Sequence, residues 1–304
     1  MEKTVRETIK EIVRVHLLEE KSMCFGQCLT AVGWVGGTLP ELYEEDGMIE
    51  VATSDVANGG FVVGAGLKGI RPIYVVRYQG FQWYNAPIIV NYACKSKEIW
   101  DIPCPIFVRS IAMEGAIGPV AGSSHHSLFQ RMPGSKIISP MTPNEYKYAY
   151  SEFMKDDDVY YVSEHRRSYD NTKEMPDIIR ENADFTLFPI SITRFDAEKA
   201  RLILEKEGYK INIIHQLWIK PFVFKKEWKV ALNNSRHGGM VLDDDYEEGV
   251  ASSMAHTMMV DANKKVYTMG LEHRTAGFHP KVDNLPPTPD AIAKKVKLII
   301  NNKI

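Results

Sequence analysis

Short apolar runs alternate with amphipathic stretches along the whole chain, and this alternation constrains the fold more than any other feature. It calls for repeated βα units around a mainly parallel sheet, because a parallel strand needs a crossover and an amphipathic helix supplies one. In the first half, strands are expected at 48–52, 72–77, 105–109, 136–139 and 159–162. Helices fit before and between them, at 3–19, 58–67, 83–98 and 144–154. The first carries Ile9, Ile12, Val13, His16 and Leu17 along one stripe. The last opens at Thr142-Pro143-Asn144-Glu145, with a capping hydroxyl and a proline at the first helical position.

From 166 to 184 the composition turns charged and polar without period. A second, smaller alternation follows, with strands at 190–193, 210–215, 239–242 and 265–269 and helices at 197–207, 225–232, 248–260 and 289–301. The expected architecture is α/β with two domains, each a mainly parallel sheet flanked by helices. They run over 1–170 and 187–304, with a linker at 171–186. A length of 304 residues suits two domains of ordinary size.

Composition narrows the partners. Hydrophobic residues make up 44% and charged residues 25%, the balance of a folded globular chain. A net charge of −2 provides no basic field for nucleic acid or an anionic membrane. No apolar run is long enough to span a bilayer, and Met-Glu-Lys-Thr-Val-Arg-Glu-Thr lacks the apolar core of a signal peptide. The four cysteines Cys24, Cys28, Cys94 and Cys104 have neither metal-ligand spacing nor the density of a disulfide scaffold, so a reduced, cytoplasmic setting is expected.

Three loops carry chemistry-bearing residues. Thr53-Ser54-Asp55-Val56-Ala57-Asn58-Gly59-Gly60 follows an expected strand and opens a helix rich in small residues. A carboxylate at the carboxyl end of a parallel strand lies where α/β folds hold ligands. Asp55 either faces such a ligand or caps the helix. The second loop, Arg77-Tyr78-Gln79-Gly80-Phe81-Gln82-Trp83-Tyr84, offers rings that stack on a heteroaromatic ligand or pack as core and interface aromatics. The third is glycine-rich from Glu114 to Gly122 and ends in Ser123-Ser124-His125-His126-Ser127, an imidazole pair suited to proton transfer. Adjacent histidines seldom turn both rings toward one ion, so no metal site is expected in this chain. Asp243-Asp244-Asp245-Tyr246-Glu247-Glu248 reads as a solvated charge run. Arg77, Arg131, Arg166 and Arg167 stand near strand or loop ends, where they meet an anion or pair with acidic neighbours.

Taken in order, these blocks resemble the β subunits of the two-chain thiamine-diphosphate-dependent 2-oxoacid dehydrogenases, the pyruvate and branched-chain family, over nearly the whole chain. Ser54-Asp55-Val56-Ala57-Asn58-Gly59-Gly60 is similar to the family's Ser-Glu-x-Gly-x-x-Gly, and Gly69-Ile70-Arg71-Pro72 to its Gly-Leu-Arg-Pro. Tyr78-Gln79-Gly80-Phe81 resembles Phe-x-x-Phe, and Ile89-Val90-Asn91-Tyr92-Ala93-Cys94-Lys95 resembles Ile-x-Asn-x-Ala-Ala-Lys. Met132-Pro133-Gly134-Ser135-Lys136-Ile137-Ile138-Ser139-Pro140 resembles Ile-Pro-Gly-Leu-Lys-Val-Val-x-Pro.

The resemblance implies a transketolase-like pyrimidine-binding domain followed by a transketolase C-terminal-like domain. It implies that Asp55 stands where the family glutamate contacts the aminopyrimidine ring and promotes its proton-transferring tautomer. Phe81, with Tyr78 beside it, stands where an aromatic ring stacks on that pyrimidine. His126, followed by Ser127, matches the family's His-Ser near the substrate or acceptor, and His125 competes for the role. The family's Gly-Asp-Gly…Asn motif, which binds Mg²⁺ and the diphosphate, is absent from this chain. The resemblance therefore implies a separate α-type subunit carrying that motif and an α₂β₂ assembly with a β₂ core, with the segment 83–93 part of an apolar interface. The implied function is decarboxylation of a 2-oxoacid with acyl or two-carbon transfer. A transketolase-like carboligase subunit acting on sugars and a non-catalytic scaffold subunit are the alternatives.

Three departures stand out. Aspartate replaces glutamate at 55 and loses about 1.5 Å of reach; a misplacement of about 1 Å can change a rate on the order of 100-fold. The family's Gly-Glu-Asp-Val becomes Gly26-Gln27-Cys28-Leu29, with both acids gone. The loop after His126 is shorter than the family's.

Overall fold

Strands buried on both faces need helices on both sides, and the chain supplies them in strict succession. The computed structural model describes residues 2–114, 117–118 and 122–303. Two compact units result: Met1–Met113 with Gly118–Glu174, and Glu114–Ile117 with Met175–Ile304. The division at 174 lies within the stretch read from the sequence as a linker.

The first unit opens with helix α1 (Val5–Leu18), whose start is fixed by a capping box: Thr4 Oγ1 accepts from Glu7 N at 3.1 Å, and Thr4 N donates to Glu7 Oε2 at 2.8 Å. The stripe read from the sequence is the one that goes inside, with Val5, Ile9, Val13, His16 and Leu17 all buried. Strands β1 (Cys24–Gly26), β2 (Met48–Glu50), β3 (Ile73–Val76), β4 (Phe107–Ala112), β5 (Ser135–Ile138) and β6 (Val159–His165) line up as β2-β1-β3-β4-β6-β5. Every neighbouring pair in that order is parallel. Between them run α2 (Ala31–Gly37), α3 (Asp55–Leu67), α4 (Gln82–Ile88), α5 (Cys94–Trp100), α6 (Ser127–Gln130) and α7 (Pro143–Lys155).

One sequence expectation needs correction here, the helix over 83–98, and two features had no counterpart in the sequence reading. Strand β1 was not foreseen, because Cys24-Phe25-Gly26 is too short to show a period. The helix expected over 83–98 is interrupted by a wide π turn at Ile89–Ala93, two residues after Pro87, whose missing N–H cannot continue the regular ladder. Residues 32–36 wind left-handed, Trp34 at φ 52° among them. The arginine of Gly69-Ile70-Arg71-Pro72 proves structural: its guanidinium donates to Phe153 O at 3.0 Å and to Asp157 Oδ1 at 3.0 Å.

The second unit stacks β7 (Phe185–Pro189), β8 (Ile211–Ile213), β10 (Gly239–Tyr246) and β11 (Val266–Leu271) in the parallel order β11-β10-β7-β8; β9 (Trp218–Lys220) is a further short strand. Helices α8 (Thr193–Lys206), α9 (Lys226–Asn233), α10 (Val250–Ala262) and α11 (Pro289–Ile300) alternate with them. Phe185, Leu187, Ile211, Ile213, Met240 and Leu242 meet Ala197, Ala200 and Leu204 of α8 and Ile292, Val296 and Ile299 of α11 in one core. The strand expected at 190–193 lies earlier, at Phe185–Pro189, and Ile190 onward turns into α8. The charge run is corrected as well: Asp243, Asp244 and Asp245 are buried inside β10, where Ser191 Oγ donates to Asp244 Oδ2 at 3.0 Å. Pairing of β10 with β7 ends at Leu242, and its register with β11 shifts between Leu242 and Tyr246, so the aspartates occupy an irregular stretch of the strand.

Candidate active site

The order β2-β1-β3-β4 makes the carboxyl ends of β1 and β3 the point where the chain switches direction across the sheet, the place where open α/β sheets hold ligands. A cavity of about 240 Å³ lies there, walled by Gln27 and Cys28 after β1, by Thr53 and Asp55 before and at the start of α3, and by residues 74–78 with Phe81. It is the place to which the sequence motifs Asp55 and Tyr78-x-x-Phe81 lead, and the three side chains share its wall.

Asp55 is half-buried at the first position of α3, where the helix dipole favours a negative charge. The alternative that it merely caps the helix is not what the structure shows. Ser54 is the N-cap and makes no side-chain cap bond, and among the described residues the Asp55 carboxylate accepts no hydrogen bond. Its loop is nonetheless held firmly, by Asn58 Nδ2 donating to Ala52 O at 3.0 Å and Ser54 N to Ala52 O at 2.8 Å. The small residues of α3 do two different things. A Cβ at Gly66 would lie 2.6 Å from Cys104 Sγ, and one at Gly59 3.2 Å from Asn85 O, so these two let neighbours approach; Gly60 and Gly64 face open space.

Electrostatics agree with the placement. Burial pushes the Tyr74 phenol well above its usual range; the Asp55 carboxylate raises it further, while a hydrogen bond from Asn85 works the other way. Tyr74 therefore remains a neutral donor against the cavity. Tyr78 and Phe81 stand with ring centroids 5.9 Å apart, and the Arg166 guanidinium lies 5.1 Å over the Tyr78 ring. Two donors in the cavity lining, Gln27 Nε2 and Arg77 Nε, are buried and make no hydrogen bond among the described residues.

The imidazole pair is elsewhere. Neither ring lines the cavity; the His126 ring and the His125 backbone N–H belong to a buried polar network over β4 and β6. His125 N donates to Gln79 Oε1 at 2.6 Å, and its ring meets Trp83 edge to face at 6.1 Å. His126 is fully buried, with Nδ1 3.1 Å from Ser163 Oγ. Gln79 Nε2 donates to that same hydroxyl at 2.9 Å and to Ser110 O at 3.2 Å, and Gln82 Nε2 donates to Ser110 Oγ and the Tyr161 hydroxyl. The segment 79–82 thus joins network and cavity, with Gln79 in one and Phe81 in the other. Of the glycine-rich loop preceding the histidines, residues 115, 116 and 119–121 lie outside the described residues. Gln27 and Cys28, noted in the sequence only as departures from a motif, are cavity walls that sequence reasoning missed.

Residues 6–172 match the family model described as the transketolase, pyrimidine binding domain. The chain belongs to this family. It is a thiamine-diphosphate-dependent family, and the resemblance to the β subunits of two-chain 2-oxoacid dehydrogenases is borne out by the chain's relatives. The 2-oxoisovalerate dehydrogenase subunit beta of Bacillus subtilis (strain 168) is 27% identical over 228 residues, 69% of this chain and 68% of the relative. The acetoin:2,6-dichlorophenolindophenol oxidoreductase subunit beta of Cupriavidus necator is 27% identical over 210 residues, 63% of this chain and 61% of the relative. The pyruvate dehydrogenase E1 component subunit beta of B. subtilis is 24% identical over 242 residues, 72% of this chain and 73% of the relative. Among solved structures, a split-gene transketolase described as an inactive β4 tetramer superposes with a TM-score of 0.75 at 14% identity, covering 100% of both chains. A transketolase mutant from Pichia stipitis gives 0.74 at 13% identity, with 99% of this chain covering 46% of that one. At such identities these two structures establish a shared fold. No helix among the described residues is long and apolar enough to cross a membrane.

Proposed function

We propose that this chain is the β subunit of a split thiamine-diphosphate-dependent enzyme acting on a 2-oxoacid, and that it supplies the pyrimidine-holding half of the cofactor site. The observation that carries the reading is the Asp55 carboxylate, without a hydrogen-bond partner among the described residues, on the wall of a ring-lined cavity at the switch point of the sheet. Such a wall fits an aminopyrimidine: a carboxylate for a ring N–H, the Phe81 and Tyr78 rings for the flat face, and buried donors for ring acceptors. The β-subunit relatives support the same assignment.

Thiamine diphosphate, when bound, supplies the electron sink for breaking the bond next to a carbonyl. The chain's own residues bind, orient and move protons. Asp55 accepts a hydrogen bond from the ring and so sets its tautomer. Phe81 and Tyr78 fix the ring plane. His126 and His125 serve proton transfer nearer the acceptor, with Gln79 and Ser163 holding them in place.

The diphosphate and Mg²⁺ are assigned to a separate α-type chain, in an α₂β₂ assembly around a β₂ core. The chain covers 46% of a transketolase that shares its fold, which leaves more than half of that longer chain without a counterpart here. Phe61 on α3 and Trp83 on α4, 63% and 60% exposed, mark the apolar face for that association. Calorimetric titration of the co-purified chains with thiamine diphosphate and Mg²⁺ tests the reading. Saturable binding that Asp55→Ala weakens supports it; absence of binding by the intact pair points to a non-catalytic scaffold.

A further inference from the structure

Buried donors are rarely left without acceptors, because each forfeits its bonds to water on folding. The Asp55 cavity holds two of them in its lining. Gln27 Nε2 and Arg77 Nε are both inaccessible to solvent and, among the described residues, unbonded. They come from the ends of adjacent parallel strands, Gln27 after Gly26 at the end of β1 and Arg77 after Val76 at the end of β3. At 27 the chain has an amide where the resembled motif has a carboxylate, so a donor has replaced an acceptor-only group.

We propose, resting on the functional reading above, that Gln27 and Arg77 are positioning residues that donate to the acceptor edge of the heteroaromatic ring whose other edge meets Asp55. The ring is then gripped from both sides. Asp55, one carbon shorter than glutamate, depends on that second grip to keep its hydrogen bond, because a ring free to slide would open the gap that the shorter side chain leaves. Arg77 also adds a fixed positive charge to the cavity lining.

The test measures binding, not turnover. The co-purified chains are titrated with thiamine diphosphate and Mg²⁺, and with the two pyridyl analogues in which one nitrogen of the aminopyrimidine is replaced by CH. The intact pair is expected to bind both analogues roughly tenfold or more weakly than thiamine diphosphate. The Gln27→Leu/Arg77→Met variant should lose its discrimination against one analogue, and Asp55→Ala against the other. Unliganded, the double variant should melt no lower than the wild type, since it removes donors that the empty fold leaves unbonded. A double variant that still discriminates against both analogues overturns the assignment while leaving the function standing. So does one that melts lower with unchanged affinity, which is the signature of a structural role. A wild-type pair that binds no thiamine diphosphate removes the function and this assignment together.

Discussion

Arg109 and Glu164 face each other from adjacent strands β4 and β6 as a two-point ion pair, Nε to Oε1 at 2.7 Å and Nη2 to Oε2 at 3.0 Å, with both side chains essentially inaccessible to solvent. Tyr169 OH donates to Glu164 Oε2 at 2.8 Å, and Arg109 also reaches Thr38 Oγ1 at 3.1 Å. Burial alone works against the charge on Arg109, but the Glu164 carboxylate outweighs it and holds the guanidinium above its ordinary value. The pair locks the sheet on which the polar network is built.

Removing one partner strands a buried charge. Glu164→Leu is expected to destabilise the chain by about 3–5 kcal/mol, and Arg109→Met/Glu164→Leu by clearly less. Chemical denaturation of the three proteins checks this. A double variant as unstable as the single would show that packing, not charge, dominates there.

His16 gives the fold a pH signature. Burial lowers its pKa to about 4, and its Nδ1 lies 3.0 Å from Tyr150 OH. The unfolded chain, with an ordinary imidazole near pH 6.5, binds the proton first, so stability falls as pH drops from about 6.5 toward 4 and this group adds no further loss below that. Between pH 7.5 and 5 the expected loss is about 2 kcal/mol, and His16→Phe should remove it. Urea denaturation at pH 7.5 and 5 compares the two; equal pH dependence would contradict the assignment.

The βα order, most helix positions and the Asp55 and Tyr78–Phe81 loops were legible in the sequence because they rest on local rules. A capping box, a proline at the first helical position and a period of 3.6 each declare themselves within a few residues. What escaped depended on distant parts of the chain. Cys24–Gly26 becomes a strand only because β2 and β3 lie on either side of it. Asp243–Asp245 are buried where the pairing of β10 with β11 changes register, past the end of its pairing with β7. Gln27 and Cys28 face a cavity closed by residues some fifty positions on, so nothing beside them in the sequence marks their role.

Gln79 ties the histidine loop to the sheet through His125 N, Ser110 O and Ser163 Oγ. Gln79→Leu removes all three bonds and buries their partners, at an expected cost of about 1–3 kcal/mol in stability. In the assembled enzyme it should lower kcat more than it raises KM, because the misplaced group serves the reaction rather than ground-state binding. Steady-state kinetics with the co-purified chains decides; a change confined to KM would place this network in binding.

The exposed Phe61 and Trp83 predict an assembly that depends on them. Phe61→Glu and Trp83→Glu should leave secondary structure intact and break up the complex, read by sedimentation velocity. Undiminished assembly by both variants would exclude this face from the interface.

The most direct measurement is a crystal structure of the co-purified chains with thiamine diphosphate and Mg²⁺ bound. The Asp55 carboxylate is expected about 3 Å from a ring nitrogen of the aminopyrimidine, directly or through one water, with Phe81 against the ring face. A pyrimidine ring seated elsewhere, with Asp55 left to solvent, would contradict the assignment of this cavity and of the chain's function.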